Sequence, residues 1–224
     1  MLSKIFSTDI FYRWLDRIND YVAKNSLDPV QPNLTDTFKE RESIKELLDN
    51  FEEVQQELLL AARYATPIQG DLFFDEDITN DGKWHKFILK WYSRPTPNAR
   101  IQCPKTLGIL ERHKDIRLAM VSCLEPNARI EAHEGPWRGS VRVHIGLKTP
   151  NRKDCYIMVD GQSVFWQDGQ VLAFDDTYEH SVQNNTIYPR IILFLDVERR
   201  MKTWHSKFLV WFLNRTVARL SARD

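Results

Sequence analysis

The side chains with the most chemistry to offer are histidines on extended segments. Six occur: His85, His113, His133, His144, His180 and His205. Taken singly, each is more often a surface or satisfied core residue than a ligand. Three of them lie at the ends of, or within, β-type runs. His133 follows ARIEA and opens His133-Glu134-Gly135-Pro136, His180 closes FDDTYEH, and His144 stands inside SVRVHIGL. A double-stranded β-helix brings such distant strand ends together, and two neutral imidazoles there could supply nitrogen ligands to a divalent metal. Ser140, Arg142 and His144 alternate along one strand and make one of its faces polar. Turned into a barrel, that face is a binding site; turned outward, it is surface, and periodicity alone leaves both readings open.

The elements that must position these residues fall into three zones. In Asp9 to Lys24, Ile10, Phe11, Trp14, Leu15, Ile18, Tyr21 and Val22 recur at three- and four-residue steps, which predicts an amphipathic helix. A loop with Pro29 and Pro32 follows, then a second predicted helix from Glu40 to Arg63. From about His85 short β-type runs take over: 86–92, 117–124, 140–147, 155–160, 163–167, 170–174 and 190–197. Asp160-Gly161 and Asp168-Gly169 are tight-turn pairs expected to join neighbouring strands. One helix is expected around Pro104 to His113, and the tail from Glu198 to Arg223 is again helical. The layout predicts a mainly β protein with flanking helices: a helical extension over 1–84, a β-sandwich or barrel core over 85–198 and a C-terminal helix over 199–224.

Bulk properties narrow the function classes. The chain has 224 residues, 42% hydrophobic, enough for one domain with a substantial core. Lys plus Arg and Asp plus Glu are both 31, so no global field recruits nucleic acid. Cys103, Cys123 and Cys155 lack CxxC spacing and read as reduced, packed thiols. No apolar stretch approaches the ~20 residues that span a bilayer, which gives a cytoplasmic placement as the expectation.

The stretch from about Trp91 to Arg200 resembles the catalytic domain of the aspartyl/asparaginyl β-hydroxylase family of Fe(II)- and 2-oxoglutarate-dependent dioxygenases. The matching pieces come in order: Ser122, His133-Glu134-Gly135, Arg142-Val143-His144-Ile145-Gly146-Leu147, Phe174 to His180, and Arg190 inside a strand ending Leu195-Asp196-Val197. The resemblance implies a double-stranded β-helix (jelly-roll, cupin-like) core. It implies that His133 and His180 bind Fe(II), and that Ser122, Arg142, His144 and Arg190 bind 2-oxoglutarate. Arginine suits that co-substrate because its planar fork can give a carboxylate two parallel hydrogen bonds. Asp176 matches an aspartate that the family places near the metal, where it would orient a water. Most non-haem iron oxygenases add a carboxylate ligand; here Gly135 stands at that position, as in a branch of the family that needs no third protein ligand. Glu134 would point away from its strand neighbour His133, and Asp175 suits turn or capping duty.

The reaction so implied is hydroxylation of an unactivated C–H with O2, coupled to decarboxylation of 2-oxoglutarate to succinate. The substrate would be an Asp or Asn side chain of a peptide, a free amino acid, or a lipid acyl chain. Animal members carry an arginine two positions ahead of the RxH motif, where this chain has Ser140; the flanking sequence is similar to the bacterial lipid-A-hydroxylase-like branch. The alternative is a catalytically inactive barrel that binds metal and 2-oxoglutarate. The tail also has two readings. Trp204, Phe208, Leu209, Trp211, Phe212, Leu213 and Val217, with Lys202, Lys207, Arg215 and Arg219 around them, could meet the inner face of a membrane through 200–219. The favoured reading is a helix packing its apolar side on the core or on a second copy.

Overall fold

The structure, a computed structural model, describes residues 8–68, 82–92 and 94–220. Its helices α1 (Thr8–Asn25), α2 (Thr35–Phe38), α3 (Glu42–Asp49) and α4 (Phe51–Ala61) precede the sheets. Strands β1 (Thr66–Pro67), β2 (Trp84–Trp91) and β3 (Arg94–Pro95) come next, followed by helices α5 (Pro97–Gln102) and α6 (Pro104–Arg112). Then come β4 (Ile116–Leu124), β5 (Ala128–His133), β6 (Ser140–Lys148), β7 (Cys155–Val159) and β8 (Gln162–Phe165). The chain ends through β9 (Val171–Phe174), β10 (His180–Asn184), β11 (Arg190–Glu198) and α7 (Trp204–Leu220).

All strand pairs are antiparallel. The larger sheet runs β1-β2-β4-β11-β6-β9, with β3 also paired to β2; the smaller runs β5-β10-β7-β8. From β4 to β11 the chain crosses repeatedly between them, placing β4, β11, β6 and β9 in one sheet and β5, β10, β7 and β8 in the other. This is the expected double-stranded β-helix, extended at one edge by β1 to β3.

The larger sheet is buried on both faces, which is why its strands read as near-continuous apolar runs. Val141, Val143, Ile145, Leu147, Leu193, Leu195 and Val197 point to one side, where they pack against Leu47, Val54, Leu58, Leu107 and Leu110 of α3, α4 and α6. Each such side chain contributes about 1.5–3 kcal/mol by leaving water. Met120, Ile192 and Phe194 point the other way, into the space between the sheets, and meet Ile130, Ile157 and Val182 of the smaller sheet. Alternation therefore sends Arg142 and His144 into the barrel, so the polar strand face is an inner one.

Several local expectations change. The helix expected over Glu40 to Arg63 breaks at Asn50 (φ −108°, ψ 23°). There the Glu46 carbonyl accepts from the Asn50 side-chain amide at 2.8 Å and from its backbone N–H at 3.3 Å. Helix α5 has no apolar run to announce it, yet Thr96 caps it by accepting from Ala99 N at 3.2 Å, with Pro97 in the first turn. The Asp160-Gly161 pair (φ 47° and 74°) does join β7 to β8 as a tight hairpin. The Asp168-Gly169 pair instead carries the chain from one sheet to the other, because β9 pairs with β6 and not with β8. Gly146 is where that crossing presses closest: a Cβ there would lie 2.2 Å from the Gln167 carbonyl oxygen. The tail helix runs over Trp204–Leu220 rather than from Glu198, which closes β11, and residues 221–223 of the expected span lie outside the described residues. It packs through Ser206, Val210 and Asn214, with its large aromatic side chains turned outward rather than onto the core.

The segment that delivers His180 is clamped by a buried ion pair. Asp175 accepts from Thr177 N at 3.2 Å and Thr177 Oγ1 at 2.7 Å, the turn role expected of it, and also from Arg199 Nη2 at 2.6 Å. Arg199 further donates to the carbonyls of Pro29 (2.7 Å) and Arg138 (2.9 Å), gathering three distant segments around one guanidinium. Both side chains of the pair are fully buried. Arg199→Ala should therefore lower the unfolding free energy in urea by about 3–5 kcal/mol, since it leaves a buried carboxylate unmatched. A loss below ~1 kcal/mol would mean that Arg138, 3.6 Å from Asp175, takes over the contact.

Candidate active site

His133 ends β5 and His180 begins β10, and the two stand directly opposite in the antiparallel register, with a bulge just after His180. Their ring centroids are 4.2 Å apart at 52°. His133 Nδ1 lies 2.8 Å from the Glu131 carbonyl oxygen, and His180 Nδ1 lies 3.0 Å from that of Tyr178. A carbonyl can only accept, so each Nδ1 carries the proton and each Nε2 keeps a lone pair. Burial pushes both imidazoles below their ordinary range, His180 to about 3, with His133 as a further cause there. The result is two neutral rings with adjacent nitrogen lone pairs, the donor set a divalent metal needs. Among the described residues no third His, Cys, Asp or Glu completes a metal-holding group with them.

Both rings line a pocket of about 340 Å³ between the sheets, together with Ser122, Arg142, His144 and Arg190. The apolar walls are Ile130, Ile157, Phe174, Val182 and Phe194. Arg190, at the start of β11, is 1% exposed, and its Nε and Nη2 have no hydrogen-bond partner. Its guanidinium lies over the Trp166 ring at 4.8 Å. Burial pushes its pKa down, to about 10, so it stays cationic at neutral pH. A buried cation with unsatisfied donors is costly to keep unless an anion completes it.

The two groups beside it are also donors. His144 Nδ1 accepts from Trp166 Nε1 at 3.3 Å; an indole can only donate, so the neutral ring carries its proton on Nε2, which is buried and unpartnered. Burial first, then the charges of Arg190 and Arg142, hold His144 well below the usual range. Ser122, fully buried, accepts from Trp84 Nε1 at 2.8 Å, which leaves its hydroxyl proton to give. Trp84 and Trp166 thus fix the direction of two site hydrogen bonds. Sequence pattern alone does not single them out; the available signal is that a buried indole N–H must find an acceptor.

Arg142 is occupied differently. Its Nε binds Asp196 at 2.9 Å, its Nη2 binds Asp176 at 2.7 Å, and its guanidinium stacks over Phe194 at 4.4 Å. Two carboxylates hold it. Asp176 is buried, and burial raises its pKa to about 6 against the pull of Arg142. Gly135 donates its backbone N–H to the Asp176 carbonyl at 2.6 Å. A Cβ at Gly135 would come within 2.3 Å of Asp176 Oδ2, so the glycine makes room for this carboxylate. Glu134 lies just past the end of β5 and is exposed. The other three histidines lie elsewhere: His85 near Glu125, His113 against Glu46, and His205 stacked on Trp204. The cysteines are free, with burial the main cause holding Cys103 up at about 12 and Cys123 and Cys155 at about 11.

The sequence profile described as aspartyl/asparaginyl beta-hydroxylase matches residues 48–200. An ornithine lipid ester-linked acyl 2-hydroxylase of Rhizobium tropici is 31% identical over 204 residues, covering 89% of this chain and 70% of that protein. The aspartyl/asparaginyl beta-hydroxylase of Mus musculus is 30% identical over 203 residues, covering 88% of this chain but 25% of the mouse protein. Among solved structures, a Pseudomonas putida prolyl-4-hydroxylase aligns with 83% of this chain and 99% of its own, at a TM-score of 0.49 and 14% identity.

Gly135→Ala is expected to displace Asp176 and to destabilise the fold by about 1–3 kcal/mol, as forced overpacking does. Differential scanning calorimetry would show this as roughly 2–4 °C of midpoint per kcal/mol. An unchanged midpoint would mean that the carboxylate can leave Arg142 freely.

Proposed function

The chain belongs to the aspartyl/asparaginyl β-hydroxylase family, and we propose that it is an Fe(II)- and 2-oxoglutarate-dependent dioxygenase that hydroxylates an unactivated C–H. The observation that carries the reading is Arg190: a buried guanidinium with two unpartnered nitrogens, facing a pocket whose opposite wall holds two neutral histidines. The residues present fit a metal chelated by a dicarboxylic keto acid. His133 and His180 would hold iron through Nε2. Iron(II) with 2-oxoglutarate and O2 would supply an oxidant able to hydroxylate the substrate, the keto acid leaving as succinate and CO2.

The protein's own contribution is binding, orientation and exclusion of water. Arg190 and Ser122 give parallel donors to one carboxylate at the inner end, a charge-assisted pairing about twice as strong as a neutral one. His144 Nε2–H adds a donor along the same wall, which Arg142 also lines. Asp176 and Asp196 keep Arg142 from collapsing onto the ligand and fix its plane over Phe194. The apolar walls keep bulk water from the reacting carbon. A lipid acyl chain is the favoured substrate, supported by the Rhizobium tropici relative, of which this chain covers 70%; an Asp or Asn side chain is the competing one.

Anaerobic titration with Fe(II) and 2-oxoglutarate should give a weak visible charge-transfer band, absent in His133→Ala and His180→Ala. Equal succinate formation by wild type and these variants would refute the metal site. Arg190→Met should raise the KM for 2-oxoglutarate by roughly 10- to 100-fold, the ~1.5–3 kcal/mol of a hydrogen bond to a charged group. Trp166→Phe keeps the stacked ring but frees His144 to change tautomer, and should raise that KM about fivefold, or ~1 kcal/mol, with kcat little altered. A band without any product from acyl-lipid, peptide or amino-acid substrates would favour the inactive binding module.

A further inference from the structure

Among its described side chains, helix α7 is attached by one narrow stripe. Ser206, Val210 and Asn214, four residues apart, are buried. Val210 packs with Val22, Met201, Ile18 and Trp137, while Asn214 accepts from Trp137 Nε1 at 3.0 Å and donates to Glu198 at 3.0 Å. The opposite side carries Trp204, Phe208, Trp211 and Phe212, exposed by 70, 56, 42 and 51%. Phe208 packs at 5.7 Å on Trp211 and 6.2 Å on Phe212, so these rings form a patch rather than scattered side chains. Continuous exposed apolar area of this kind marks an interaction surface.

Charge identifies what the surface meets. Lys202, Lys207 and Arg215 are exposed around the rings, Arg215 over Trp211 at 5.5 Å, and residues 202–215 include no acidic side chain. Helix α1 packs on α7 through Ile18 and Val22 and exposes Trp14 and Tyr21 with Arg13, Arg17 and Lys24, against Asp16 and Asp20. We propose that α7, flanked by α1, docks the protein on an anionic phospholipid surface. Tryptophan rings lodge at the headgroup boundary, and each nearby cation adds attraction to anionic lipid. None of the described helices is long and apolar enough to cross a membrane.

The docking helices also grip the loop that follows His133. Asn19 of α1 donates to the Pro136 carbonyl at 3.0 Å and accepts from Arg138 N at 3.0 Å, and Trp137 is bonded to Asn214 of α7. The loop that leaves His133 is therefore held by the same two helices that meet the lipid surface.

Vesicle binding needs neither iron nor 2-oxoglutarate, so it is tested apart from the hydroxylase reading. The full chain should co-sediment with phosphatidylglycerol vesicles at least tenfold more than with pure phosphatidylcholine vesicles, and less as salt rises. The triple variant Trp204→Ser, Phe208→Ser, Trp211→Ser should lose at least tenfold of that binding while keeping its circular dichroism and its 2-oxoglutarate turnover. Lys202→Glu with Lys207→Glu, both at exposed positions, should lose it too, and decides alone if the triple variant misfolds. Equal sedimentation of wild type and variants overturns the proposal. So does a wild-type dimer that the triple variant dissociates without any vesicle binding, which would assign the face to a second copy.

Discussion

Arg190 is the group around which the barrel interior is arranged. A guanidinium removed from water keeps its charge only where something replaces the lost solvation, and here two of its nitrogens have no partner among the described residues. What surrounds it is compatible with that charge but does not neutralise it: the face of Trp166, and two further donors, Ser122 and His144. Among the described residues, the inner end of the pocket consequently presents the donors of Arg190, His144 and Ser122. That polarity is selective in itself, because a neutral molecule placed there would leave the guanidinium unsatisfied whereas a carboxylate satisfies it.

The contrast with Arg142 shows how the same residue type is put to a different use. Arg142 is fully engaged on one side by Asp176 and Asp196, which makes it a rigid component of the wall. At the preceding position in the chain, Asp175 pairs with Arg199 in a comparable way and joins the His180 segment to Pro29 and Arg138. Adjacent aspartates thus face opposite directions and hold different arginines. Asp176 fixes the pocket wall, and Asp175 fixes the loop that brings in His180.

Much of this was legible in the chain. The longer strands can be read because the larger sheet is covered on both faces, so β4 and β11 are mostly apolar and β6 keeps one face apolar along its length. Strands β5 and β10 do not stand out as runs because their outer sides meet water and are polar, although each carries a histidine that the order of motifs singles out. The break at Asn50 and the short helix α5 depend on a local side-chain bond to the backbone, which hydrophobic spacing does not record. At the site, the histidines and arginines are recognisable through their order along the sequence. The tryptophans that orient them are not, since an indole in a strand has the same pattern whether or not its N–H is in use. The outward turn of the tail's aromatic rings depends on which stripe of α7 meets the core, and polarity does not mark Asn214 and Ser206 for it.

The packing of Asp176 against Gly135 also bears on how such a site could change over generations. A carboxylate on the ligand loop, the commoner arrangement in non-haem iron oxygenases, cannot be reached here by altering residue 135 alone, because any side chain there enters space that Asp176 already fills. Residue 176 would have to shrink first, which would strip Arg142 of one of its two anchors. The two positions are therefore coupled, and each holds the other in its present state. A side chain at 135 and the present placement of the 176 carboxylate are alternatives in this packing, and a change at one calls for a rearrangement at the other.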